Sequence, residues 1–193
     1  MRRTAVVACL AALFQIPSAH ALTFVSQATN GNTVDLAFAT ADTIAADIGF
    51  VASGSVTITW QLDPDDVVRG AAAFNSIVDN FSDTPFGALR LRVDAGAITP
   101  GGFASNDGAM VVTAQDARSV SFAFSPAMAT HAWLGDPFLS GGTPDWSISL
   151  AGLGAGDTLS ITMTTAVPEP GTWAMLAGGL GLLALNAGRR RGR

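Results

Sequence analysis

The chain has 193 residues, one cysteine (Cys9) and a formal net charge of −5 at pH 7. All ten basic residues are Arg, and six of them (Arg2, Arg3, Arg189, Arg190, Arg191 and Arg193) lie at the two ends. Residues 22–166 therefore carry four Arg against fourteen Asp, a net −10, which excludes nucleic acid as an expected partner and, with Cys9 outside them, excludes disulfide or thiol chemistry.

Residues 1–21 read MRRTAVVACLAALFQIPSAHA. Arg2 and Arg3 form a short positive start, Ala5 to Phe14 an apolar run, and Ala19-His20-Ala21 a small-x-small cleavage site. This is the pattern of a secretory signal peptide, so the Sec translocon and signal peptidase are the expected first partners, with cleavage after Ala21. Cys9 lies inside the apolar run, where a lipidation site would come at its end.

Residues 22–166 alternate with period two, the mark of strands with one face on a core and one face wet. Val34, Leu36 and Phe38 alternate over Thr33–Ala39, and Val56, Ile58, Trp60 and Leu62 over Ser55–Leu62. Leu89, Leu91 and Val93 alternate with Arg90, Arg92 and Asp94. Val120, Phe122 and Phe124 follow, then Trp146, Ile148 and Leu150, then Leu159, Ile161 and Met163 over Asp157–Thr165. Turn residues separate them: Asn30-Gly31, Ser53-Gly54, Asn106-Asp107-Gly108, Gly141-Gly142 and Gly154–Asp157. The expected fold is all-β, an antiparallel β-sandwich of jelly-roll type, spanning residues 22–166.

Residues 64–81 read two ways. Asp63-Pro64-Asp65-Asp66 suits a helix start, and Phe74, Ile77, Val78 and Phe81 then fall at helical spacing. Gly70 interrupts that pattern, and Ile77, Val78 and Phe81 suit a strand. The expectation is a loop followed by a strand.

Chemistry in the body is sparse. Its one histidine, His131, has no Gly-x-Ser-x-Gly nucleophile to serve. No catalytic residue is assigned, and a non-enzyme is expected. No cofactor is expected except a candidate calcium ion at Asp63, Asp65 and Asp66, since hard cations take several oxygens close together. A solvated turn or helix cap is the plainer reading of those acids. Trp60 and Trp146 are in phase with core residues. Trp133, near Asp136, is the candidate for stacking on a sugar.

The C-terminal stretch is VPEPGTWAMLAGGLGLLALNAGRRRGR, residues 167–193. Pro168 and Pro170 hold Glu169 extended and accessible. Residues 172–188, seventeen in all, would make a helix of about 25 Å, just under the ~30 Å of a bilayer core. Arg189, Arg190, Arg191 and Arg193 would keep the tail on the cytoplasmic side. The expected helix thus crosses the inner membrane and leaves the body on the periplasmic side. Gly178, Gly179 and Gly181 would offer a close-packing face to another membrane helix.

Val167-Pro168-Glu169-Pro170, Thr172, Trp173, the apolar helix and the Arg cluster together resemble a PEP-CTERM sorting domain. The resemblance covers only these last residues. It implies recognition and cutting at Pro168-Glu169-Pro170 by exosortase, a membrane protease-transpeptidase of polysaccharide-producing Gram-negative bacteria. It also implies release to the cell surface or to an extracellular matrix of exopolysaccharide. The expected function is a non-enzymatic structural or adhesive surface protein of a biofilm. The alternative is a carbohydrate- or calcium-binding sandwich.

Overall fold

Ser55–Gln61 shows the rule that builds this chain: Val56, Ile58 and Trp60 are buried, while Ser55, Thr57, Thr59 and Gln61 face outward. The computed structural model describes residues 22–168. In chain order the strands are β1 (Thr23–Ala28), β2 (Thr33–Asp35), β3 (Thr43–Ala45), β4 (Asp47–Phe50) and β5 (Ser55–Gln61). Helix α1 (Pro64–Arg69) then leads to β6 (Ala71–Asn80) and β7 (Phe86–Val93). Next come β8 (Ala97–Thr99), β9 (Phe103–Ser105), β10 (Ala109–Gln115) and β11 (Ser119–Met128). The last are β12 (His131–Leu134), β13 (Trp146–Ser149) and β14 (Thr158–Ala166).

The first sheet is antiparallel throughout, in the order β1-β5-β14-β7-β11-β10. Its wet face carries hydroxyls that pair across strands, Thr57 with Thr162 at 2.9 Å and Thr59 with Ser160 at 3.1 Å. Its edge strands β1 and β10 each break register once, between Phe24 and Ser26 and between Val112 and Ala114. Such bulges twist an edge away from pairing with another chain.

The second sheet is organised by β6. The first half of β6 pairs antiparallel with β13 and parallel with β3; the second half pairs antiparallel with β12 and parallel with β4. β2 extends β4, β9 extends β12, and β8 extends β13. The pairing is antiparallel, as expected, except where β6 meets β3 and β4 in parallel. The cause is connectivity. From β4 the chain crosses to the first sheet as β5 and returns through α1, a crossover long enough to bring β6 in parallel.

The two sheets share one core. Phe50 of β4 meets Phe86 of β7 edge-on at 6.0 Å, and Phe122 of β11 meets Phe103 of β9 at 5.0 Å and Trp146 of β13 at 5.9 Å. Trp60 and Trp146 are both core residues, as expected.

Two local expectations are corrected. The stretch after Asp63 is a short helix, not a loop. Asp63 Oδ1 accepts from the amides of Asp65 and Asp66, and the Asp66 carboxylate accepts from the Asp63 amide, a reciprocal cap. Gly70, at φ +73°, ends the helix in the left-handed region, and the strand follows as expected. In Thr33–Ala39, strand geometry stops at Asp35, whose Oδ1 accepts from the Ala37 amide and bends the chain. Phe38 consequently leaves the core phase and is 68% exposed.

The signal segment 1–21 with Ala19 and Ala21, the helix expected over 172–188 and the arginine tail lie outside the described residues. Among the described residues no helix is long and apolar enough to cross a membrane.

Candidate functional site

β14 carries the body to its exit. It lies between β5 and β7 and ends at Ala166, opposite Ala88. Val167 is 38% exposed and Pro168 packs on β7: a Cβ added to Gly87 would stand 3.0 Å from Pro168 Cγ. A side chain at 87 would press on the proline and push it outward by a few tenths of an ångström. Glu169 is three residues beyond Ala166, so at most ~10 Å of extended chain separates it from the folded sheet. Glu169 and Pro170 themselves lie outside the described residues.

The second sheet presents a different surface. Trp133 and His131 are half-buried on β12, while Ala132 and Leu134, which alternate with them, are buried in the core. The Trp133 ring lies 5.7 Å from His131 and meets Phe138 edge-on at 6.1 Å. Across β12 and β6, His131 pairs with Asp79 and Trp133 with Ile77; across β6 and β4, Asp79 pairs with Gly49. Asp47 lies two residues before Gly49 on β4, with Asp35 opposite it on β2. Aromatic rings and carboxylates thus share one outer face.

Trp133 and Asp136, expected together as ligand groups, do different jobs. Asp136 is buried, and its carboxylate accepts from the Ser140 amide at 3.0 Å, the Ser140 hydroxyl at 2.9 Å and the Gly141 amide at 2.6 Å. The Ser140 amide foremost holds the Asp136 pKa below the usual carboxylate value. The Asp136 amide donates to Asp145 Oδ1 at 2.7 Å. Asp136 therefore shapes the loop that presents Phe138 to Trp133, and its oxygens are taken up within that loop. The same loop holds Leu139, which with Phe38 and Pro137 lines an apolar cleft of about 310 Å³.

The acids expected at a calcium site serve the helix cap. Asp66 is fully buried, accepts from the Asp63 amide and pairs with Arg69 at 2.9 Å. Asp63 Oδ1 is shared by two amides. Among the described residues no group of three or more His, Cys, Asp or Glu is set to hold a metal.

The carboxylates that sequence reading missed are Asp35, Asp47 and Asp79. Asp47 accepts from the Ile77 amide at 3.0 Å. Burial raises its pKa first, and Asp35 and Asp79 add to the rise. Burial likewise raises Asp79, opposed by the charge of His131. Groups placed so are ionised at a penalty, which is how binding and catalytic carboxylates commonly sit.

The sign of the pH effect follows. A folded pKa above the unfolded value means that ionised Asp79 destabilises the fold near neutrality. The penalty is lifted as pH falls through the folded pKa towards the unfolded value of 3.8. Asp79→Asn is therefore expected to raise the melting temperature at pH 7, with the gain shrinking as pH falls and mostly gone by about pH 4. Thermal melts of both proteins at the two pH values check this; an equal gain at both would show that ionisation is not the cause.

No curated protein and no solved structure matches the chain. A family model matches from the last residue of β14 onward: residues 166–191 fit the PEP-CTERM protein-sorting motif, the signal of an exported protein addressed to exosortase.

Proposed function

We propose that this is a non-enzymatic surface or extracellular-matrix protein, a β-sandwich of jelly-roll type exported by Sec and held briefly in the inner membrane. Exosortase then cuts it near Pro168-Glu169-Pro170, and the body passes to the cell surface or to an exopolysaccharide matrix, where it has a structural or adhesive role. The observation that carries this reading is the sorting-motif match over residues 166–191. The two-sheet body agrees with it, because its last strand delivers the motif directly.

The test is the intact mass of the protein from the surface and medium of a polysaccharide-producing host. The expected mass starts at Leu22 and ends near Pro168–Pro170, with or without an attached group. Glu169→Ala should leave most of the protein uncut and membrane-bound. A wild-type mass running through Arg193, found only in the membrane, would overturn the sorting reading.

A second reading has its own observation: the outer face that joins Trp133, His131 and Phe138 to Asp47 and Asp79. Aromatic faces stack on apolar sugar faces, and carboxylates accept sugar hydroxyls. This is the carbohydrate-binding alternative. Pull-down on the host polysaccharide, lost in Trp133→Ala, supports it; undiminished pull-down would remove it. Calcium enters this reading only at Asp63, Asp65 and Asp66, and calcium-dependent thermal stabilisation is its check.

A further inference from the structure

Three of the four Arg between Leu22 and Pro168 meet in one place. Arg90, Arg92 and Arg118 line an open cavity of about 430 Å³ with Asp116, Ala117 and Ser119. β7 contributes Arg90 and Arg92, two positions apart and both exposed, while Leu89, Leu91 and Val93 turn to the core. Ser119 opens β11 opposite Arg92, and the turn before it brings Arg118.

None of these three cations forms an ion pair with a carboxylate among the described residues. Among the described residues the only ion pair joins Arg69 to Asp66. Arg90 Nη2 donates to the Ser119 hydroxyl at 3.2 Å, and Arg118 Nη1 donates to the Asp94 carbonyl at 3.0 Å. The Arg92 side chain makes no hydrogen bond or ion pair among the described residues. The one carboxylate in the lining, Asp116, is committed to its own turn. It accepts from the Arg118 amide at 2.7 Å, the Ser119 amide at 2.8 Å and the Ser119 hydroxyl at 2.9 Å. The nearby Asp94 carboxylate accepts from the Ser160 amide at 2.7 Å.

The lining thus carries three positive charges against one negative on a body of net −10. Guanidinium groups gathered without counter-charges repel one another, and an oxyanion placed among them relieves that repulsion through charge-assisted bonds. The volume falls in the ~300–1,000 Å³ range of small-ligand sites. The acidic surroundings disfavour a long, uniformly charged polyanion such as nucleic acid.

We infer that this cavity binds an oxyanion-bearing ligand of sugar-acid size, its carboxylate, sulfate or phosphate group held by Arg90, Arg92 and Arg118. The inference is argued from neither the sorting-motif match nor the outer face of the second sheet, so it does not depend on either reading.

The test is titration calorimetry on the full-length chain in neutral detergent, with trigalacturonate, neutral maltotriose and inorganic sulfate as probes. Trigalacturonate should bind, more weakly at ~0.15 M than at ~0.01 M ionic strength, and maltotriose should not. Arg92→Gln and Arg118→Gln should each weaken binding about tenfold, the loss of one charge-assisted contact. Arg92 is exposed and its side chain is bonded to nothing described, so Arg92→Gln should keep the wild-type melting temperature. Arg92-dependent binding of sulfate without trigalacturonate would overturn the sugar-acid assignment in favour of a free inorganic anion. Trigalacturonate binding that survives both substitutions, or no binding by either anion, would overturn the site itself.

Discussion

Trp146→Ala should lower the stability of the body by about 3–5 kcal/mol, the range for deleting a large buried aromatic side chain. Trp146 is 1% exposed on β13, in the second sheet, and its ring meets Phe122 of the first sheet at 5.9 Å. The truncation would open a void where the two layers touch. Trp146 Nε1 also donates to the Gly102 carbonyl at 2.7 Å. That carbonyl keeps a second partner in the Gly135 amide, so cavity formation dominates over lost hydrogen bonding. Against a total stability of ~5–15 kcal/mol, the loss removes a large share of the folding free energy. Denaturant titration of full-length wild type and variant measures it. Trp146→Phe, which keeps most of the apolar volume, should lose clearly less. Equal losses would mean that the indole bond outweighs the void.

Gly96→Ala should be nearly as harmful, although it adds only a methyl group. Gly96 has φ +72°, and a Cβ there would stand 2.0 Å from the Ser149 carbonyl oxygen. Ser149 is held on both sides, by Ala97 of β8 and Ala71 of β6. Relief therefore requires moving β13 away from its neighbours, and no side-chain rotation suffices. The left-handed conformation adds ~1 kcal/mol for a non-glycine residue. Gly31 is the internal control: it has φ +88°, and a Cβ added there would meet nothing within 4 Å. Gly31→Ala should lose only that conformational ~1 kcal/mol, and Gly96→Ala at least ~2 kcal/mol more. Denaturant titration of the two variants beside wild type checks the difference. Similar losses at the two sites would show that β13 yields to the added methyl.

What could be read from the sequence follows strand length and burial. β5, β7, β11, β13 and β14 announce themselves because each has one face in the core and one in water over most of its length, so period two shows. β3, β4, β8 and β9 have three or four residues each and, unlike the equally short β13, set apolar or small residues side by side, so no period appears. β6 blurs the pattern, because Phe74, Asn75 and Ser76 are buried in succession where the strand changes partners.

The candidate sites divide in the same way. Pro168 and the segment after it are contiguous, so the sorting signal is legible as a string. Asp47, Asp79 and Trp133 are far apart in the chain and meet only because β4 and β12 both pair with β6, in parallel and antiparallel, which no local pattern encodes. Arg90 and Arg92 show their common face by spacing, but Arg118 joins them only through the β7–β11 ladder. Asp136 reads as a ligand group because no charged partner stands near it in the string. The amides of Ser140 and Gly141, four and five residues on, occupy its carboxylate instead, and backbone donors leave no trace in residue type.

The position of β14 also has a mechanical meaning. Thr158–Thr164 lie along β5 and Ile161–Ala166 along β7, so the strand nearest the C-terminal tether is clamped on both sides. A pull on Val167 along the strand axis loads both ladders in shear, and many bonds share the force at once. An edge strand in that place would peel open one pair at a time. A load applied through this end is thus borne by the inside of the sheet.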